Sequence, residues 1–127
     1  RWQRGTLVGS GSYGKVYLGM NLDTAELFVV KQVAFMAREK GEEVVQLEQE
    51  IALLAHLEHV NIVKYLGTEL NAVTNELSIF LEYMPGGSIA DLVQKFGELD
   101  ELVIRKYTRE VLEGLAYLHR KGIIHRD

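Results

Sequence analysis

Three glycines near the start of the chain constrain the fold most, because of what flanks them. Gly9, Gly11 and Gly14 are spaced G-x-G-x-x-G between two runs rich in β-formers, Trp2 to Val8 and Lys15-Val16-Tyr17-Leu18. The spacing fits a flexible hairpin tip. It also fits a dinucleotide-binding turn, which needs a helix after the loop and an acidic residue about twenty positions on. Neither of these is present. The residues after Gly14 are β-branched and aromatic and end at Gly19 and the turn signal Asn21-Leu22-Asp23-Thr24. The later run centres on Lys31 instead. Glu26 to Val33 is a third β-type run, so the first third reads as an antiparallel meander.

A helix follows, roughly Glu39 to Leu57. Val44, Leu47, Ile51 and Leu54 recur at spacings of three and four, and Glu42, Glu43, Glu48 and Glu50 make the other face acidic. Two more strand-like runs, Ile62 to Leu66 and Leu77 to Tyr83, are separated by the polar stretch Asn71 to Glu76. Met84-Pro85-Gly86-Gly87 breaks the pattern. Ser88 and Asp91 form an S-x-x-D capping box for a short helix ending near Gly97. A longer helix spans about Asp100 to Lys121. Its apolar residues cover an arc of about 220°, far wider than the stripe of a one-sided surface helix. Such a helix requires partners on several sides.

The composition narrows the chemistry. The chain has 127 residues, 25% of them charged, a net charge of −4 and no cysteine. The length alone suggests one small domain. The slightly acidic balance argues against a nucleic-acid or anionic-membrane surface. No apolar run approaches the ~20 residues of a membrane span. Without cysteine there is no thiol catalysis, disulfide or Cys-ligated zinc. His56 and His59 are three apart but lack an evident third metal ligand. The chain opens on Arg1 and stops at Ile123-Ile124-His125-Arg126-Asp127, which reads as a cut through something ordered.

Several motifs occur in a fixed order: Gly9, Gly11, Gly14 and Val16; Phe28-Val29-Val30-Lys31; Glu50; Glu82-Tyr83-Met84; and His125-Arg126-Asp127. In this order the chain resembles the protein kinase family along its whole length. His59-Val60-Asn61-Ile62-Val63-Lys64-Tyr65, Glu82 through Ser88 and Gly114-Leu115-Ala116-Tyr117-Leu118-His119 are most similar to the MAP kinase kinase kinase group. The resemblance implies an α+β, protein kinase-like fold. A five-stranded antiparallel N-lobe sheet with one large helix would occupy 1–83, a hinge 84–87, and the start of the helical C-lobe 88–127, ending inside the catalytic loop.

The resemblance also implies roles. The backbone of Gly9, Ser10, Gly11, Ser12, Tyr13 and Gly14 would fold over the triphosphate of ATP. Lys31 would hold the α- and β-phosphates and pair with Glu50. Val8, Val16 and Val29 would cover the adenine, Leu81 would guard the back of the pocket, and backbone groups of Glu82 and Met84 would meet the adenine edge. Asp127 would be the catalytic base, and Arg126 would pair with an activation-loop phosphate. Leu54, Tyr65 and His125 would belong to an apolar column tying the lobes. Val29 departs from the family's alanine, and its extra methyls are expected to crowd the adenine, an overpacking of ~1–3 kcal/mol if nothing shifts. Val60 replaces the usual proline. ATP is the implied cofactor, with Mg2+ held by residues beyond Asp127. The implied substrate is a protein, a MAP kinase kinase, phosphorylated in the cytoplasm. With no metal ligand in these 127 residues, the chain alone is expected to be inactive and to associate through its exposed apolar helix. Two rivals remain at this point. One is a catalytically dead kinase-like scaffold, and the other is a small α+β binding module with an accidental glycine loop.

Overall fold

Asparagine side chains close two of the hairpins in the same way. In the computed structural model, which describes residues 1–11, 14–34 and 42–125 (for 11, 42–44, 46, 47 and 50 the backbone alone), Asn21 Oδ1 accepts from the backbone N–H of Asp23 and Thr24. Asn71 Oδ1 accepts from Val73 and Thr74. Four residues after each asparagine a non-glycine residue turns left-handed, Ala25 at φ 62° and Asn75 at φ 56°. These Asx turns give the backbone N–H groups partners where the strand ladder stops.

The turns join the strands β1 (Trp2–Gly11), β2 (Gly14–Asn21), β3 (Leu27–Ala34), β4 (Tyr65–Asn71) and β5 (Glu76–Glu82). All pairings are antiparallel, in the order β1-β2-β3-β5-β4. The helices are α1 (Glu42–Leu54), α2 (Ile89–Phe96) and α3 (Glu101–Arg120).

Central strands β3 and β5 carry the core: Val30 and Leu77 are fully buried. On the Val30 face, Trp2, Phe28 and Phe80 meet edge-on, with ring centroids 5.3–6.0 Å apart. Edge-to-face aromatic contacts of this kind add to the area they bury. The Trp2 indole N–H donates to Glu69 Oε2 at 3.1 Å, which ties β1 to β4. Gly19 lies opposite Phe28, and a Cβ there would collide with the ring.

The structure moves two of the expected boundaries. The fourth strand begins at Tyr65, not Ile62. Ile62 N–H instead bonds His59 C=O, and Asn61 N–H bonds His59 Nδ1, so 59–63 is a turn. The polar pair Thr68-Glu69 is strand because β4 is a sheet edge, where pairing with β5 suffices without apolar alternation. At the other boundary, α1 stops at Leu54. Ala55, His56 and Leu57 bond the carbonyls three residues back, a 3₁₀-type tightening that carries the apolar period past the α-helix proper. The expected start at Glu39 lies outside the described residues.

Two compact units result. One holds Arg1–Leu57 with Lys64–Tyr83, and the other holds Glu58–Val63 with Met84–Asp127. In the second unit Ser88 Oγ accepts from Asp91 N–H at 3.1 Å, and Asp91 Oδ2 accepts from Ser88 N–H at 2.7 Å, the reciprocal bonds of a capping box. Asp100 caps α3 by accepting from Leu102 N–H. The connecting turn 58–63 is held on α3. Tyr117 Oη accepts from Glu58 N–H at 3.0 Å, and the His59 ring lies 4.9 Å from the Tyr117 ring. At Gly114 a Cβ would stand 3.1 Å from Asn61 O, so glycine permits this approach. Within α3 only Gly114 and Leu118 are buried; Leu102, Ile104, Val111 and Leu112, which belong to or flank the wide apolar arc, are exposed.

Candidate functional site

The antiparallel register of β2, β3 and β5 brings the predicted residues of the sheet together. Val16, Lys31 and Ile79 are direct partners and therefore share one face. The next row on that face is Leu18, Val29 and Leu81. Four of the residues singled out in the sequence, Val16, Val29, Lys31 and Leu81, thus form one patch. All four are half-buried. It is an apolar surface with one cation set in it.

The glycine hairpin lies at one end of this patch. Its ladder runs Gly9↔Val16, Ser10↔Lys15 and Gly11↔Gly14, which leaves a two-residue tip. Those two residues, Ser12 and Tyr13, lie outside the described residues. The glycines differ in what requires them. Gly14 has φ 142°, and a Cβ on it would run into the carbonyl of Gln32 on β3. It is fixed by packing and conformation together. A Cβ on Gly9 would meet nothing within 4 Å. Internal packing does not account for Gly9. The open space beside its backbone leaves room for a ligand to approach the amides closely, the use glycine has in phosphate loops. Val8 lies at a bulge between the pairs Leu7↔Tyr17 and Gly9↔Val16, and bulges re-aim side chains next to functional sites.

Other predicted residues lie elsewhere. Glu82 ends β5, where its carboxylate accepts from Lys64 N–H at 3.0 Å and its own N–H bonds Lys64 C=O at 2.8 Å. The Glu82 carboxylate and backbone N–H are thus both engaged with Lys64, just before β4. Met84 belongs to the second unit and is exposed, and its carbonyl accepts from Gly87 N–H in a tight turn. Glu50 lies on α1, with its side chain outside the described residues. Arg126 and Asp127 also lie outside them. No group of three or more potential metal ligands occurs among the described residues.

A polar chain on the reverse face of β3 escaped the sequence reading. Arg4 Nη1 donates to Gln32 Oε1 at 3.0 Å, and Gln32 Nε2 donates to Ser78 Oγ at 3.3 Å. Its signal in the sequence was a break in alternation. Gln32 is polar on a strand face that otherwise carries Phe28 and Val30, and a polar group there needs partners.

Comparison with known proteins gives a consistent picture. A family model described as the protein kinase domain matches residues 2–127. Among curated relatives, mitogen-activated protein kinase kinase kinase mkh1 of Cytospora mali is 50% identical over all of this chain and 7% of its own length. Mitogen-activated protein kinase kinase kinase 3 of Arabidopsis thaliana is 48% identical, again over all of this chain and 20% of its own. Mitogen-activated protein kinase kinase kinase A of Dictyostelium discoideum is 47% identical, with 14% of its length covered. The chain spans a fifth or less of these relatives.

Proposed function

Because the chain belongs to the protein kinase domain family, with that family's five-stranded antiparallel sheet and helices, we propose that it carries the ATP-binding lobe and the start of the helical lobe of a serine/threonine kinase of the MAP kinase kinase kinase type. The observation that carries this reading is the Val16–Lys31–Ile79 row beside a glycine hairpin whose Gly9 is open to an approaching ligand.

In this reading the amides of residues 9–14 hold the triphosphate and the Lys31 ammonium neutralises its α- and β-phosphates. Phosphoryl transfer depends mainly on positioning and charge stabilisation, so a fixed cation on a rigid strand is the main contribution of this region. Glu50 orients Lys31. Val8, Val16 and Val29 cover the adenine, Leu81 lines the back of its slot, and the backbone of Glu82 and Met84 meets its edge across a hinge at 84–87. Asp127 orients the attacking hydroxyl and takes its proton. Magnesium, which the family uses with ATP, supplies further neutralisation of phosphate charge when bound. The substrate is a Ser or Thr hydroxyl of a MAP kinase kinase, and the setting is the cytoplasm. No described helix is long and apolar enough to cross a membrane.

The test is Lys31→Met in the intact kinase. Transfer of the γ-phosphate to a MAP kinase kinase should fall by roughly 10²–10³-fold, the size of losing one fixed electrostatic stabiliser. Adenosine affinity should stay within about twofold, since the lost group faces phosphates. Undiminished transfer would refute the assignment. A parent protein that binds ATP and transfers nothing would make the domain a scaffold. The 127-residue chain alone should incorporate no phosphate into the same substrate.

A further inference from the structure

Gln32 follows Lys31 on β3, so its side chain emerges on the opposite face. There it is the middle link of a chain across the sheet. Its Oε1 accepts from Arg4 of β1 and its Nε2 donates to Ser78 of β5. Ser78 is only 7% exposed, so the far end is anchored in the core. The Arg4 guanidinium also lies 4.5 Å over the Tyr17 ring of β2. At the backbone, the Gln32 carbonyl is the group that Gly14, the last glycine of the loop, abuts. Gln32 therefore touches both strands of the glycine hairpin, β1 through Arg4 and β2 through Gly14, while being bonded directly to Lys31. A neutral amide suits this position because it accepts and donates at once.

We infer that Gln32 is a positioning residue, setting the glycine hairpin relative to Lys31 and so the spacing between the phosphate-binding amides and the ammonium. The inference deepens the nucleotide reading and rests on it. It makes a specific demand: the effect falls on phosphate groups and spares the nucleoside, because what shifts is the hairpin against the cation. A purely structural role would weaken every ligand of the site alike.

The experiment measures ADP and adenosine binding by calorimetry in the intact kinase and its variants. Gln32→Leu should weaken ADP about 3–10-fold, the equivalent of one or two lost hydrogen bonds, and leave adenosine within about twofold. Gln32→Glu keeps the acceptor for Arg4, and the Ser78 hydroxyl can rotate to donate to it, so ADP binding should return to within about twofold of wild type. Arg4→Met, at an exposed position, should reproduce the split at about 2–5-fold and is decisive if Gln32→Leu does not fold. Equal losses for ADP and adenosine, or no loss in either, overturn the positioning role. A wild-type protein that binds neither ligand overturns the nucleotide reading itself, so the two failures are distinct.

Discussion

The sheet unit and the helical unit reach order by different means. Four of the five buried apolar side chains among the described residues, Phe28, Val30, Ile51 and Leu77, lie in the first; Leu118 alone lies in the second. The sheet hides its own rows, since neighbouring strands and the Trp2–Phe28–Phe80 cluster cover what alternation places on one face. The helical unit is held by polar detail instead: the Ser88–Asp91 box, the Asp100 cap and the Tyr117 hydroxyl. Its apolar side chains, among them Phe96, Leu102 and Leu112, face outward. Strand pairing makes a small sheet largely self-sufficient, whereas a helix apolar on most of its circumference depends on what is packed against it.

The comparison fails or sharpens first at the core. Leu77→Ala should cost about 2–5 kcal/mol by urea unfolding, while Leu112→Ala on α3 should stay within about 0.5 kcal/mol. Equal losses would erase the contrast. Next, Ser88→Ala should remove about 1 kcal/mol from the helical unit through its lost cap, leaving the sheet untouched by amide exchange. Acid should act on the same cap. The Ser88 backbone N–H, then its hydroxyl, with Lys95 adding, hold the Asp91 carboxyl below its usual range. A lowered folded value means the capping contribution is present above the ordinary Asp value. It is lost as pH falls through the folded one. Protection of the Ser88 and Asp91 amides should therefore decline below about pH 4 and be insensitive to pH above it. The smallest effect on stability, within about 0.5 kcal/mol, belongs to Leu112→Glu, which should nonetheless reduce binding of an apolar dye. Unchanged dye binding would mean that α3 is not the exposed apolar face.

Much of this contrast is legible in the residues. The glycine hairpin, the three-strand meander and the capping box are local, and each is written in a few adjacent positions. The width of the α3 apolar arc is also local, and it correctly announces exposed apolar surface. The start of β4 is not local. Ile62 and Val63 have strand-like side chains, but bonds to His59 within the turn hold them out of the ladder. The candidate site divides in the same way. Lys31 stands out by its neighbours in sequence, whereas Gln32 acquires its partners from strands 28 and 46 residues away. No reading of β3 alone could supply Arg4 or Ser78.

The tether of turn 58–63 to α3 bears on the order in which the protein is made. Glu58 and its partner Tyr117 are 59 residues apart. At a synthesis rate of roughly 5–20 residues per second, the turn waits roughly 3–12 s for the helix that holds it. During that interval all five strands have been made and can pair. Glu58 N–H therefore has no Tyr117 hydroxyl to bond until nearly the whole of α3 has been made.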